Sequence, residues 1–283
     1  MKTRKSALVV GIAVTGIILL LALGVAAPAF SKSNMFALLA ATGTPTPPAG
    51  DVIPLKSISG LTSLNASVKI GANGLINDQR TQGDLTAELT TSDQGSKITV
   101  TGPLLGDITA QVGGSLVGLF TPSSVDIYKV PQGNYIVVNS LIPVCIKPSS
   151  PKATAAFDEL SPQNLLGMFT NSDVARGKLV DKMTVNGLPV NHYAINGEAF
   201  LAAAQKSQDE KLKAFGDALW KARDADLYVD AEGGYPLAFS GSYSGSYDPL
   251  KFQGDFDVQI ELTGINQDTT VKLPASCNKP IIQ

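Results

Sequence analysis

From Phe252 to Leu262 the chain reads FQGDFDVQIEL. Phe252, Phe256, Val258, Ile260 and Leu262 fall on one side of an extended backbone. Gln253, Asp255, Asp257, Gln259 and Glu261 fall on the other. Strict period-two alternation is the signature of a strand with one buried face and one wet face. Upstream runs repeat it. Leu64, Ala66, Val68 and Ile70 share one side, as do Leu85, Ala87 and Leu89, then Ile98 and Val100. Turn formers separate the runs at Gly71-Ala72-Asn73-Gly74, Asp93-Gln94-Gly95 and Pro131-Gln132-Gly133-Asn134, which predicts a series of antiparallel hairpins. Tyr235, Leu237, Phe239 and Tyr243 add a further apolar face, and Gly241 and Gly245 in SGSYSGSY mark places where that strand can bend or bulge.

The stretch 177–239 sets the fold class. Two apolar runs flank Asn186-Gly187, a dipeptide suited to a tight hairpin turn. A helical segment over roughly 197–222 follows, with Leu212, Phe215 and Leu219 on one stripe. Within it, Ser207-Gln208-Asp209-Glu210 matches a capping box, where the helix is free to restart. A second hairpin then closes on Glu232-Gly233-Gly234. Hairpins on either side of a helix predict an α+β chain with an antiparallel sheet, not a doubly wound parallel one.

The N-terminus has a different character. Lys2, Arg4 and Lys5 precede an apolar run, Ala7 to Ala27, close to the roughly 20 residues that span a bilayer. Ala27-Pro28-Ala29 offers a signal cleavage site, but the run exceeds the core of about 7–15 residues usual in cleavable signals. Residues 1–30 therefore read as an anchor, with secretion as the outcome of cleavage. Residues 31–50, ending TGTPTPPAG, read as an extended Pro/Thr spacer, and 51–283 as the folded domain. Export would place Cys145 and Cys277 in an oxidising compartment, where they are expected to pair. A formal charge of −2 over 283 residues, with 16% charged, excludes an electrostatic grip on nucleic acid.

Chemistry-bearing motifs are sparse. No GxSxG, HExxH, P-loop or GxGxxG pattern occurs, and no cofactor or metal set is implied. His192 is the single histidine, on a predicted strand with no Ser or Asp at a motif spacing. Asp255 and Asp257 share a strand face, an arrangement that can serve acid–base or calcium chemistry but that a solvent face explains more simply. Ser161-Pro162 begins a short helix crowded with Leu165, Leu166, Met168 and Phe169, which must be buried or line something apolar.

Three phrases resemble the LppX/LprG-type envelope lipoproteins of the LolA-like carrier superfamily. They are FDELSPQNLLGMF (Phe157 to Phe169), VNGLPVNHYAING (Val185 to Gly197) and DADLYVDAEGGYPLAFSGSYSG (Asp224 to Gly245). The likeness runs roughly from Asp51 to Leu273. It implies a curved antiparallel half-barrel whose helices close the concave side over an acyl-chain cavity. It also implies carriage or presentation of acyl lipids or lipoglycans at the cell envelope, without catalysis. This chain lacks the family's lipobox cysteine, so a membrane-spanning segment would take over the tether. The expected cavity lining is Leu165, Leu166, Met168 and Phe169 from the short helix and Phe215 and Leu219 from the long one. Leu237, Phe239, Phe256 and Val258 would line it from the sheet. Widening Ala238 or Leu166 to Trp is expected to impair binding. The rival expectation is a ligand-free interaction or sensor module in which the same residues form a closed core.

Overall fold

The computed structural model describes residues 50–58, 61–106, 122–149, 174–185, 187–247, 251–267 and 269–282. The expected anchor, nearly all of the expected spacer, the expected short helix with Leu165, Leu166, Met168 and Phe169, and Asn186 lie outside the described residues.

The chain folds as a sheet-dominated α+β structure. The N-terminal strands are Asp51–Val52 (β1), Leu64–Ile76 (β2), Gln79–Ser92 (β3), Gly95–Thr101 (β4), Ser124–Val130 (β5), Gly133–Asn139 (β6) and Val144–Lys147 (β7). Arg176–Val185 (β8) and Leu188–Ile195 (β9) lead into the helices Gly197–Lys206 (α1) and Glu210–Ala218 (α2). Leu219–Ala222 (β10), Ala225–Asp230 (β11), Pro236–Tyr247 (β12), Phe252–Ile265 (β13) and Ile281–Ile282 (β14) complete the set. The sheet order is β1-β8-β9-β11-β12-β13-β2-β3-β4-β5-β6-β7-β14, with β10 on β12. All these pairings are antiparallel except β14 on β7.

Alternation sets the register. One cross-strand row runs Leu227, Phe239, Ile260, Val68, Ala87, Val100, Val125 and Val138, each opposite the next. The first seven are buried. On the other face a parallel row runs Asp226, Ser240, Gln259, Lys69, Thr86 and Thr101. A slip of one residue at any pairing would exchange these two faces, which is why the register is firmly held.

Three expectations shift. Gly71-Ala72-Asn73-Gly74 is not a turn. It lies inside β2, and the chain reverses at Asn77-Asp78, whose φ angles of 49° and 64° are left-handed. The glycines serve a close approach instead. Gly74 faces Gly254 across β2 and β13, and a methyl on either would collide with the opposing backbone. The helix of 197–222 divides. Asn196 caps α1 by accepting from the Ala199 N–H, and Asp209 rather than Ser207 caps α2 by accepting from Leu212. After Ala218 the backbone bonds to β12, so Leu219 sits on β10 and not on a helix. Tertiary pairing here overrides helical periodicity. Finally, β12 meets β13 in unbroken register through Gly241 and Gly245, and its irregularities fall on the β10 and β11 sides.

The C-terminal segment is held by the Cys145–Cys277 disulfide, as expected from the sequence (Cα–Cα 5.1 Å). The 3-10 turn Ala275–Asn278 carries Cys277, and Tyr128, Tyr135, Val137 and Val271 bury the bridge in a second, smaller cluster. The bridge joins residues 132 apart. Replacing both cysteines with serine is expected to lower unfolding free energy by about 2–5 kcal/mol, measured by denaturant titration against the oxidised protein.

Candidate functional site: the aromatic interior

The inner face of β12 and β13 meets α1 and α2 through aromatic rings. Phe215 of α2 stands edge-on to Tyr243 at 5.6 Å between centroids and to Phe256 at 6.5 Å. Tyr243 stacks on Phe256 at 5.4 Å, and Phe200 of α1 reaches Tyr243 at 5.8 Å and Phe215 at 6.4 Å. Phe252 extends the group along β13. Each such pair adds about 0.5–1.5 kcal/mol beyond its buried area.

Of the expected lining residues, Phe215, Leu219, Phe239, Phe256 and Val258 are buried in one cluster. Leu237 is only half-buried, next to the register shift where Val229 opposes Pro236. Ala238 pairs with Tyr228 and Glu261 on the opposite face, so widening it would not narrow the interior. Phe200 went unrecognised in the sequence because an isolated aromatic in an alanine-rich helix carries little periodic signal.

Three buried side-chain polar atoms lack a hydrogen-bond partner among the described residues, Thr91 Oγ1, Asn191 Oδ1 and the Tyr243 hydroxyl, and the last belongs to this aromatic group. The Tyr243 hydroxyl is fully buried and has no hydrogen-bond partner among the described residues. It lies above Gly241, where a Cβ would come within 2.7 Å of the hydroxyl and 3.0 Å of the Phe239 ring. Gly241 thus seats the ring rather than bending the strand. A buried hydroxyl without a partner costs about 1–3 kcal/mol. Burial also pushes the Tyr243 phenol well above its usual range.

Several polar groups of the other face are paired locally. Nδ1 and Nε2 of His192 lie 3.1 Å and 2.8 Å from Asp181 and Asp226, and the ring stacks on Tyr228 at 4.5 Å. Both ring nitrogens therefore face carboxylates. The sequence hid this arrangement because Asp181 and Asp226 come from β8 and β11, remote in the chain. Burial, then Asp226 and Asp181, raise the Tyr228 phenol. Asp255 and Asp257 accept from Ser244 and Ser242 at 2.6 Å each, on the rim of a polar trough of about 500 Å³ that also includes Lys69, Asp84 and Arg223. Among the described residues no group of three or more His, Cys, Asp or Glu is arranged to hold a metal. Asp126 accepts from Thr99 at 2.7 Å and Asn139 at 3.1 Å and pairs with Lys97 at 3.6 Å.

No protein-family model matches the chain. No curated protein matches it in sequence. Among solved structures, a DUF1329 family protein from Desulfovibrio piger is 10% identical with a TM-score of 0.23, over 76% of this chain and 89% of that one. PNGF-II in a C2 crystal form is 8% identical with a TM-score of 0.20, over 77% of this chain and 30% of that one. Likenesses this distant carry no argument about fold or function.

The buried tyrosines make the protein alkali-sensitive. Burial, aided by Asp126, raises the Tyr128 phenol from 10.0 to about 12. The folded state then holds protons that the unfolded state has released, so this contribution is complete below pH 10 and is lost as pH rises through about 12. Urea unfolding at stepped alkaline pH is expected to show falling stability across that window. Tyr128→Phe should flatten the fall.

Proposed function

We propose that this protein is a membrane-tethered, non-enzymatic lipid binder. The sheet would be a LolA-like half-barrel with α1 and α2 closing its concave side, and its aromatic interior would take acyl chains. The observation that carries the reading is the Tyr243 hydroxyl. Natural interiors rarely leave a buried donor unmet, and an ester or amide carbonyl entering among Phe200, Phe215 and Phe256 would meet it. Removal of acyl chains from water supplies the affinity, at about 25 cal/mol per Å² of apolar surface buried. The tyrosine adds selection for an acyl linkage, worth about 0.5–1.5 kcal/mol as one net hydrogen bond. The membrane-length run from Ala7 to Ala27 supports the tether, and the resemblance to envelope carriers supports the ligand class. The occupied nitrogens of His192 support a binding role over a hydrolytic one.

A second reading is favoured by the same rings. Phe200, Phe215, Tyr243 and Phe256 already touch one another at packed-core distances, as in a closed core that serves an interaction module.

Native mass spectrometry of exported residues 51–283, followed by solvent extraction, separates the two. The carrier reading expects a stoichiometric acyl lipid. It also expects Tyr243→Phe to weaken retention of an ester-linked lipid about 2- to 10-fold while leaving an ether-linked analogue unaffected. An apo mass that persists after incubation with envelope lipids would decide for the closed module.

A further inference from the structure

The β8–β9 hairpin carries an apolar end that is left exposed among the described residues. Met183 faces Val190 and Val185 faces Leu188 in directly opposed pairs on one face; Val190 is buried, and Met183, Val185 and Leu188 are exposed. Val185 is 40% exposed and Leu188 50%, and Val180, at the register shift, is 55% exposed. β8 is also the outer strand here. Only Arg176 and Gly177 are paired on its far side, by β1, so among the described residues the edge from Lys178 to Val185 is open. An open apolar edge is an aggregation hazard unless something covers it.

The chain's own path identifies the cover. β1 runs antiparallel to β8, with Asp51 opposite Gly177 and Val52 opposite Arg176. Gly50, the residue before Asp51, therefore lies on the tip side of β1. Upstream, after roughly 20 residues with an extended reach of about 70 Å, comes the membrane-length run ending at Ala27. The described chain thus begins, at Gly50, on the tip side of β1. Lys182, three residues from Val185 on the same strand, suits anionic headgroups, and the neighbouring Asp181 is paired with His192.

We propose that the tip of the β8–β9 hairpin, with Val185 and Leu188 leading, inserts into the outer surface of the bilayer that holds the N-terminal segment. The inference rests on the tether in the functional reading above. It places the strand ends at the tip against the membrane and the opposite ends, including the turns at Asp78 and Ile142, away from it. The turn between β6 and β7, with Leu141 100% and Ile142 75% exposed, is the rival docking point that the test separates from the hairpin tip.

The test uses the full chain. Neither native cysteine is free, so one introduced thiol labels cleanly. Val185→Cys, Leu188→Cys, Asp78→Cys and Ile142→Cys, each with an environment-sensitive fluorophore, are reconstituted into vesicles of phosphatidylethanolamine and phosphatidylglycerol containing a shallow nitroxide lipid. Labels at 185 and 188 are expected to shift to the blue and lose about half or more of their emission, as at an interfacial depth of roughly 5–10 Å. Labels at 78 and 142 are expected to be unchanged. Vesicle-bound protein with unquenched labels at 185 and 188, or with quenching at 142 instead, overturns the inference and leaves the tether standing. Protein that fails to float with the vesicles overturns the tether, and the inference with it.

Discussion

The pairing of β13 with β2 holds the molecule together. It joins strands from opposite ends of the chain, Leu64–Ile76 and Phe252–Ile265, along nearly their whole length. Without it the sheet would separate into an N-terminal meander of β2 to β7 and a C-terminal group of β8 to β13. Each half would then expose an edge and part of an apolar face. The junction depends on one intimate contact, where Gly74 and Gly254 let the two backbones meet without side chains between them. Pairing between strands so distant in sequence carries a high loop-closure cost and makes for slow folding.

That junction governs the interior as well. Phe256 and Val258 on β13 stand opposite Ala72 and Ile70 on β2, and opposite Tyr243 and Gly241 on β12. The aromatic group therefore lies beside the line where the two halves join, under α1 and α2. A ligand entering there would touch both halves of the sheet, which ties occupancy to the stability of the seam. The β8–β9 hairpin lies on the other side of β11 from this aromatic group, so the two features occupy different parts of one continuous sheet.

Much of the sheet was legible because its physics is local. Alternation in β2, β3, β4 and β13 named the buried face residue by residue, and Gly187, Gly95 and Gly133 fall at turns with positive φ as their dipeptides implied. Legibility failed where a distant partner decided the outcome. The Gly71–Gly74 run looks like a turn until β13 lies beside it. Leu219 continues a helical stripe until β12 offers a ladder. The Asp181–His192–Asp226 bridge and the Tyr243–Gly241 seat depend on strand neighbours that no spacing rule reveals. For the interior, period-two reasoning found Phe239, Phe256 and Val258 but could not tell that Tyr243 brings a hydroxyl without a partner.

The disulfide has a consequence in the order of synthesis. Cys277 leaves the ribosome 132 residues after its partner. Through most of translation, β7 lacks β14 and β2 lacks β13, so the nascent N-terminal half presents two raw strand edges at once. Both are sealed by the last stretch of chain, Phe252 to Ile282. A product stalled before this stretch is therefore the form most exposed to wrong association, and the covalent bond records that residues 252–282 have arrived.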